Sequence, residues 1–228
     1  MTDRPSALIT GASRGIGRAT AVALGDTHDL LLGGRDGEAL ASLAAGLPSA
    51  RPWVAELTDE KALTGAVAGI DRLDVLVHSA GISRLGALAD LTAADWRDSY
   101  EINVVAVVEL TRLLLPALRA TAGHVVLVNS GSGLKANPRW GAYAASKFAL
   151  RAYADVLRAE EEPNGLRVTS VHPGRTATDM QRDVRRFEGG DYVPEHYMRP
   201  ESVAAIIRAA ITTPRDAHVH EIVIRQPS

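Results

Sequence analysis

The stretch "SALITGASRGIGRATAVALG", residues 6–25, decides the fold. Its first five residues form a short apolar run that reads as a strand. The alanine-rich run from 14 to 25 reads as a helix. Gly11, Gly15 and Gly17 fall at the junction. In an open α/β sheet, ligands bind beyond the carboxyl ends of the strands. A helix starting there offers unpaired amide groups and the positive end of its dipole, which favours a pyrophosphate. Glycine removes the Cβ that would hold the phosphates away from the backbone. The spacing is G-x-x-x-G-x-G rather than the commoner G-x-G-x-x-G. A tight turn with no ligand is the simpler alternative. Three glycines in seven residues, at the first strand-to-helix turn, weigh against it.

Outward from this stretch the same alternation continues. "DLLLGG" (29–34) precedes "GEALASLAAG" (37–46), and "RPWVAEL" (51–57) precedes "DEKALTGAVAG" (59–69). "LDVLVHSAG" (73–81) is a continuous apolar run. Long helical segments are expected at about 95–120 and 140–162, with "GHVVLVNSGSG" (123–133) between them. "LRVTSVHPG" (166–174) and "EIVIRQP" (221–227) supply the last strands. Continuous apolar strands are buried on both faces, as in a parallel sheet covered by helices. The pattern predicts one Rossmann-type α/β domain over 1–228, a doubly wound parallel sheet of about seven strands. The stretch 175–199 is expected to be irregular. It is charged, and Gly189, Gly190 and Pro194 interrupt it.

Composition narrows the function. Hydrophobic residues make up 46% and charged residues 23%, enough for a full core and a soluble surface. The formal net charge of -2 gives no electrostatic case for nucleic acid or an anionic membrane. There is no cysteine, which excludes disulfides, thiolate nucleophiles and cysteine-bound zinc. No His/Asp/Glu spacing suggests a metal site. The first residues carry no secretory signal, and no run approaches a membrane span. A cytoplasmic protein is expected.

"WGAYAASKFAL" (140–150) sets Tyr143 and Lys147 four residues apart, on one helix face. "TGASRGIG" followed far downstream by "YAASK" resembles the short-chain dehydrogenase/reductase family, over nearly the whole chain. The resemblance implies that Tyr143 passes a proton to or from a substrate oxygen while hydride moves to or from a nicotinamide. A free phenol has a pKa of about 10. An ammonium ~4 Å away, at an effective dielectric of ~20, attracts a phenolate by roughly 4 kcal/mol. Lys147 is therefore expected to bring Tyr143 towards neutrality and also to bond the nicotinamide ribose. An exposed surface pair is the bland alternative.

The resemblance extends to further positions. Ser130 stands thirteen residues before the tyrosine, where the family has a serine that bonds the substrate oxygen; Ser132 is the rival hydroxyl. Asn103, in "EINVVAVVEL", matches the asparagine that holds a proton-relaying water; a satisfied helix-interface amide is the alternative. Gly11, Ser13, Arg14, Gly15, Ile16 and Gly17 would cradle the cofactor's phosphates. Ser79, Ala80 and Gly81 in "VHSAG" would pass its adenosine half. His78 departs from the family's asparagine and is expected to be structural, as are His124 and His172. Pro173, Gly174, Thr176 and Thr178 would turn around the carboxamide, with Thr176 replacing a branched aliphatic. Glu56 and Leu57 stand where the family contacts adenine.

The end of the second strand distinguishes the cofactors. An acidic residue there binds the ribose 2′-hydroxyl of NAD, and an arginine accommodates a 2′-phosphate. Here Gly34 holds the acid's place and Arg35 follows, with Arg14 in the glycine loop. Asp36 is read as a helix cap. NADP(H) is expected over NAD(H), with a small carbonyl or secondary-alcohol substrate. Other readings are a cofactor-binding regulator without turnover and a different chemistry on the same fold. The family implies a homodimer or homotetramer built on the two long helices. Met180, Phe187, Tyr192 and Tyr197 make 175–199 the expected substrate loop, a lid that orders over bound substrate.

Overall fold

The structure, a computed structural model, describes residues 4–227; the reading of the first residues lies partly outside them. Seven parallel strands form one sheet: β1 (Ser6–Ile9), β2 (Asp29–Gly34), β3 (Ala50–Val54), β4 (Val75–His78), β5 (His124–Val128), β6 (Arg167–Pro173) and β7 (Glu221–Ile224). Their order is β3-β2-β1-β4-β5-β6-β7. The direction of winding reverses between β1 and β4, where the carboxyl ends open a crevice. The helices are α1 (Gly15–Leu24), α2 (Gly37–Ala45), α3 (Glu60–Val67), α4 (Ala93–Tyr100), α5 (Ala106–Arg119), α6 (Gly141–Glu161), α7 (Asp179–Glu188) and α8 (Pro200–Thr212).

Two apolar layers clamp the sheet. One joins Leu8, Leu76, Val125 and Leu127 to Leu110 and Leu114 of α5 and Leu150 and Leu157 of α6. The other joins Ile9, Leu32, Val77 and Val171 to Leu24 of α1 and Ile207 of α8. Adjacent residues of one strand thus serve opposite faces, as the pleat requires. β4 and β5 are buried throughout and β1, β2 and β6 at all but their ends, as the continuous apolar runs predict. β3 and β7 are not. They are the two edges of the sheet, so one side of each meets solvent.

Four elements differ from the sequence reading. The segment expected at 95–120 is broken: α4 runs into a π-helical turn, Glu101–Val105, before α5 begins. The third strand stops at Val54, three residues short of the expected end. The stretch 175–199 holds the ten-residue α7, capped by Thr178 at one end and by Gly189 (φ 75°) at the other. Between 200 and 212 lies α8, absent from the sequence reading. Its burial at Val203, Ala204, Ile207, Ala210 and Ile211 is the 3.6-residue period of an amphipathic helix. No described helix is long and apolar enough to cross a membrane.

Two strand histidines are structural, as expected. The Nε2–H of His78 donates to Thr111 Oγ1 (2.9 Å), whose own hydrogen goes to the Val107 carbonyl. The Nε2–H of His124 donates to Thr169 Oγ1 (2.8 Å), which in turn donates to the Val219 carbonyl. Burial lowers both rings from 6.5 to about 3. The unfolded chain therefore takes up these protons first as pH falls. Stability is unaffected above pH 6.5 and is lost progressively down to about pH 3. Each ring contributes roughly 1.4 kcal/mol per pH unit to that loss. Urea unfolding of His124→Gln between pH 7 and pH 4.5 should show an acid limb shallower by one ring's share. An unchanged slope would mean that the ring does not titrate on unfolding.

Candidate active site

The crevice is built first by backbone against backbone. Gly11 adopts φ 66°, and a Cβ there would meet the Ala80 nitrogen at 2.8 Å. A Cβ on Gly17 would lie 2.3 Å from the Gly11 carbonyl oxygen. These glycines are required by the protein's own packing before any ligand enters. Thr10 staples the same junction. Its Oγ1 accepts from the amides of Ser79 (3.1 Å) and Ala80 (3.2 Å), so the loops after β1 and β4 move as one. The amides of α1's first turn open into this crevice, with Gly15 and Ile16 half-buried and Gly17 buried. Thr178, capping α7, sits against Gly15 from the far side.

The charged groups at the adenosine end separate. Arg14 Nη1 lies 3.8 Å from Asp179, at the start of α7. Arg35 Nη1 lies 3.6 Å from Glu56. Each of these two exposed guanidinium groups faces a different carboxylate. Glu56 also accepts from the Thr58 hydroxyl (3.1 Å). Asp36 caps α2 by accepting from the Ala39 amide at 3.0 Å, as the sequence suggests.

At the other end α6 passes beneath β5. Its buried face is Ala142, Tyr143, Ala144, Ser146 and Lys147. The small residues let the helix close on the β5 loop, and the phenol and ammonium are enclosed with it. The Lys147 ammonium donates to the Val128 carbonyl (3.1 Å) and lies 5.9 Å from the centre of the Tyr143 ring. Burial lowers the Lys147 pKa to about 8. Burial raises that of Tyr143, and a hydrogen bond from the Ser130 hydroxyl partly opposes it. Enclosure is the larger influence on the phenol and disfavours the phenolate.

Ser130 opens the short turn after β5. Its hydroxyl accepts from the Ser132 amide (3.1 Å) and lowers the Tyr143 pKa against the effect of burial. Ser132 is buried in the turn itself. Asn103 occupies the π-helical turn. It accepts from the Ile82 amide (3.0 Å), donates to the Ile82 carbonyl (3.0 Å) and donates to Ser146 Oγ (3.0 Å). It has the pairing of a satisfied interface amide. Gly81 lies beside both Asn103 and Lys147: a Cβ there would stand 3.0 Å from Asn103 Oδ1 and 3.8 Å from Lys147 Nζ.

Beyond β6, Pro173 is buried and Gly174 donates to the Ile224 carbonyl (2.8 Å). Thr176 bridges to Met198, which brings the far end of 175–199 back to its start. Ser13, Ser79, Ala80 and Leu57 line the crevice loops half-buried. Sequence reasoning missed three groups. Thr10 looks like an ordinary strand end. Asn129 holds the Ser130 amide with Oδ1 (2.9 Å) and donates to the Lys147 carbonyl (3.2 Å). Arg225 donates to the His172 carbonyl (2.9 Å) across 53 residues. Each acts at least in part through contacts remote in sequence, and no local spacing announces them.

The comparisons with known proteins agree with this geometry. A family model described as short chain dehydrogenase matches residues 5–189. Glycine betaine reductase of Emericella nidulans is 34% identical over 232 residues; the match covers 96% of this chain and 18% of that protein, so this chain spans only a small part of it. An uncharacterised short-chain type dehydrogenase/reductase of Sinorhizobium fredii is 35% identical over 216 residues, 91% of this chain and 86% of the relative. Among solved structures, that of a variant of actinorhodin polyketide ketoreductase with NADPH has a TM-score of 0.89 at 25% identity, over 97% of this chain and 96% of that one. With its glycine crevice and enclosed Ser/Tyr/Lys cluster, the chain belongs to the short-chain dehydrogenase/reductase family, NAD(P)-dependent oxidoreductases acting on alcohol and carbonyl groups.

Proposed function

We propose that the protein is an NADP(H)-dependent reductase of a small carbonyl compound, with Tyr143 as the proton donor. The observation that carries this reading is the enclosed cluster, with Tyr143 and Lys147 buried on one face of α6 and the Ser130 hydroxyl favouring the phenolate. The residues fit the cofactor. The glycine crevice leaves backbone amides open to a pyrophosphate, and Lys147 has three donors, one of them given to Val128. The other two suit a ribose diol. A bound nicotinamide supplies or accepts the hydride.

The chain's own groups manage the proton. Burial keeps the phenol protonated at neutral pH, which suits a general acid delivering a proton to a carbonyl oxygen as hydride arrives. Ser130 bonds the same oxygen as negative charge grows on it. Asn103 fixes the loop at Ile82 and, through Ser146, the turn of α6 that carries Lys147. Pro173, Gly174, Thr176 and Thr178 are assigned to the carboxamide side. α7 covers the substrate: Arg139, at φ 67°, stacks over Phe187 at 4.3 Å and closes the helix onto the turn before α6. We propose a cytoplasmic homodimer or homotetramer built on α5 and α6, where Val105, Phe148 and Val156 are exposed.

Tyr143→Phe removes the transferable proton and little else. Turnover of NADPH with the best compound from a panel of ketones, quinones and aldehydes should fall roughly 10²–10⁴-fold. NADPH affinity should stay within a factor of about 2–3, the ordinary context spread of a single contact. Near wild-type turnover would remove Tyr143 from the chemistry.

Lys147→Met should abolish turnover yet stabilise the fold. The folded-state pKa of about 8 lies below the free value of 10.5, so the buried charge opposes folding at pH 7 and the cost fades as pH rises past 8. Urea unfolding at pH 7 should show a gain of up to about 3 kcal/mol, at 1.36 kcal/mol per pKa unit. A loss of stability would mean that the ammonium is well solvated in the fold.

Arg35 and Arg14 are proposed to take the 2′-phosphate, in place of Glu56 and Asp179. The double alanine variant should lose NADPH affinity by about 10–100-fold, since charge-assisted hydrogen bonds are worth roughly 1.5–3 kcal/mol each before screening at exposed sites. NADH affinity should barely change, and Glu56→Gln should tighten NADPH by freeing Arg35. Isothermal titration with both cofactors checks this; a wild type that prefers NADH would contradict it.

A further inference from the structure

His172 is a fully buried imidazole one strand away from the reacting groups. Its Nδ1 lies 3.0 Å from the Ser130 carbonyl oxygen. Its Nε2 lies 2.9 Å from Glu221 Oε1 on β7. Glu221 is paired in turn with Arg151 of α6 (3.1 Å). A carbonyl oxygen only accepts, so Nδ1 must carry a hydrogen for the first contact to be attractive. The Glu221 carboxylate also only accepts, but its approach to Nε2 lacks hydrogen-bond geometry, so the contacts favour the Nδ1–H tautomer. The proton of the neutral ring sits towards Ser130, and Nε2 takes a second proton only when the ring becomes charged.

We propose that His172 is a positioning residue for Ser130: its Nδ1–H holds the Ser130 carbonyl, with the Arg151–Glu221 pair lying along the ring's other edge. This rests on the reading of Ser130 and Tyr143 given above. The Ser130 peptide is then held at both ends, its amide by Asn129 Oδ1 and its carbonyl by the Gly133 amide (3.0 Å) and His172. A line of neighbours runs from Arg151 of α6 through Glu221 to His172 and Ser130, whose hydroxyl acts on Tyr143 of the same helix, two turns earlier. An edge strand that is otherwise remote from the chemistry becomes part of its frame.

The groups facing the ring are Glu221 and Arg225 from the last strand region and Arg151 from α6. Burial is the largest influence and lowers the ring's pKa, while Glu221 opposes it. At neutral pH the ring is thus the neutral Nδ1–H form, which keeps the hold on Ser130. Acidification adds the Nε2 proton, which can then bond Glu221, without releasing Ser130. The hold survives both states, so it is a fixed support and not a pH gate.

The test is ¹⁵N NMR of histidine-labelled protein, with turnover of NADPH and the best panel carbonyl. The ring of His172 should show a protonated Nδ1 at both pH 8 and pH 5, with only Nε2 titrating. Glu221→Gln should lower the pH at which Nε2 is loaded and leave the tautomer unchanged. His172→Leu should lower kcat about 10–100-fold, the cost of a misplacement on the order of 1 Å, with NADPH affinity unchanged. His172→Asn, whose side-chain amide can still donate to Ser130, should recover most of that loss. A neutral ring protonated on Nε2 overturns the proposal, as does wild-type turnover in His172→Leu. If the Leu variant fails to fold, the tautomer and the Asn variant still decide. Full turnover in Tyr143→Phe overturns the reading of the site instead, and the tautomer then remains the measure of the proposal.

Discussion

The buried ammonium of Lys147 is the constraint around which this molecule is arranged. A charge out of water is costly unless it is paired, and here the chain offers it one carbonyl, that of Val128. Everything nearby serves to bring the group to that position. Alanines and Ser146 let α6 pack closely beneath β5. Gly81 leaves room above, and Asn103 locks the adjoining loop to the helix through Ser146. Holding a lysine there lowers its pKa to about 8, and the energy stored in this way is available to any ligand that supplies acceptors. Instability and binding capacity are the same feature seen from two sides.

Opposite the ammonium, the sheet's switch point is held by glycine contacts and by Thr10. The two halves of the crevice are thereby rigid before a dinucleotide arrives, so little ordering entropy remains to be lost on binding. The exposed arginines are a different kind of element. Each stands near a carboxylate at 3.6–3.8 Å, long and solvated pairs that hold little energy and exchange readily for a phosphate.

Much of this was legible in the sequence because it is local. The glycine loop must follow a strand and start a helix, and the Tyr143–Lys147 spacing places two groups on one helix face. The seven strands declare themselves as apolar runs between breakers. What escaped is what depends on partners far along the chain. The π-helical turn at 101–105 puts Asn103 against Ile82, yet "EINVV" reads as plain helix. α7 was hidden by its charges, which pair among themselves: Arg182 with Asp179, and Arg185 with Glu188. α8 carries a readable apolar period, with Pro200 at its start. The role of His172 lies entirely in tertiary contacts, since no spacing links 130, 172 and 221.

Proton uptake on cofactor binding tests the central claim most directly. If Lys147 is a strained ammonium awaiting acceptors, NADPH should draw a proton onto it near pH 8. Titration calorimetry at that pH, in buffers of differing ionisation enthalpy, should then register uptake approaching about half a proton per site by linkage. The same experiment with Lys147→Met should register none. Binding without uptake by the wild type, or uptake that persists in the methionine variant, would contradict the account.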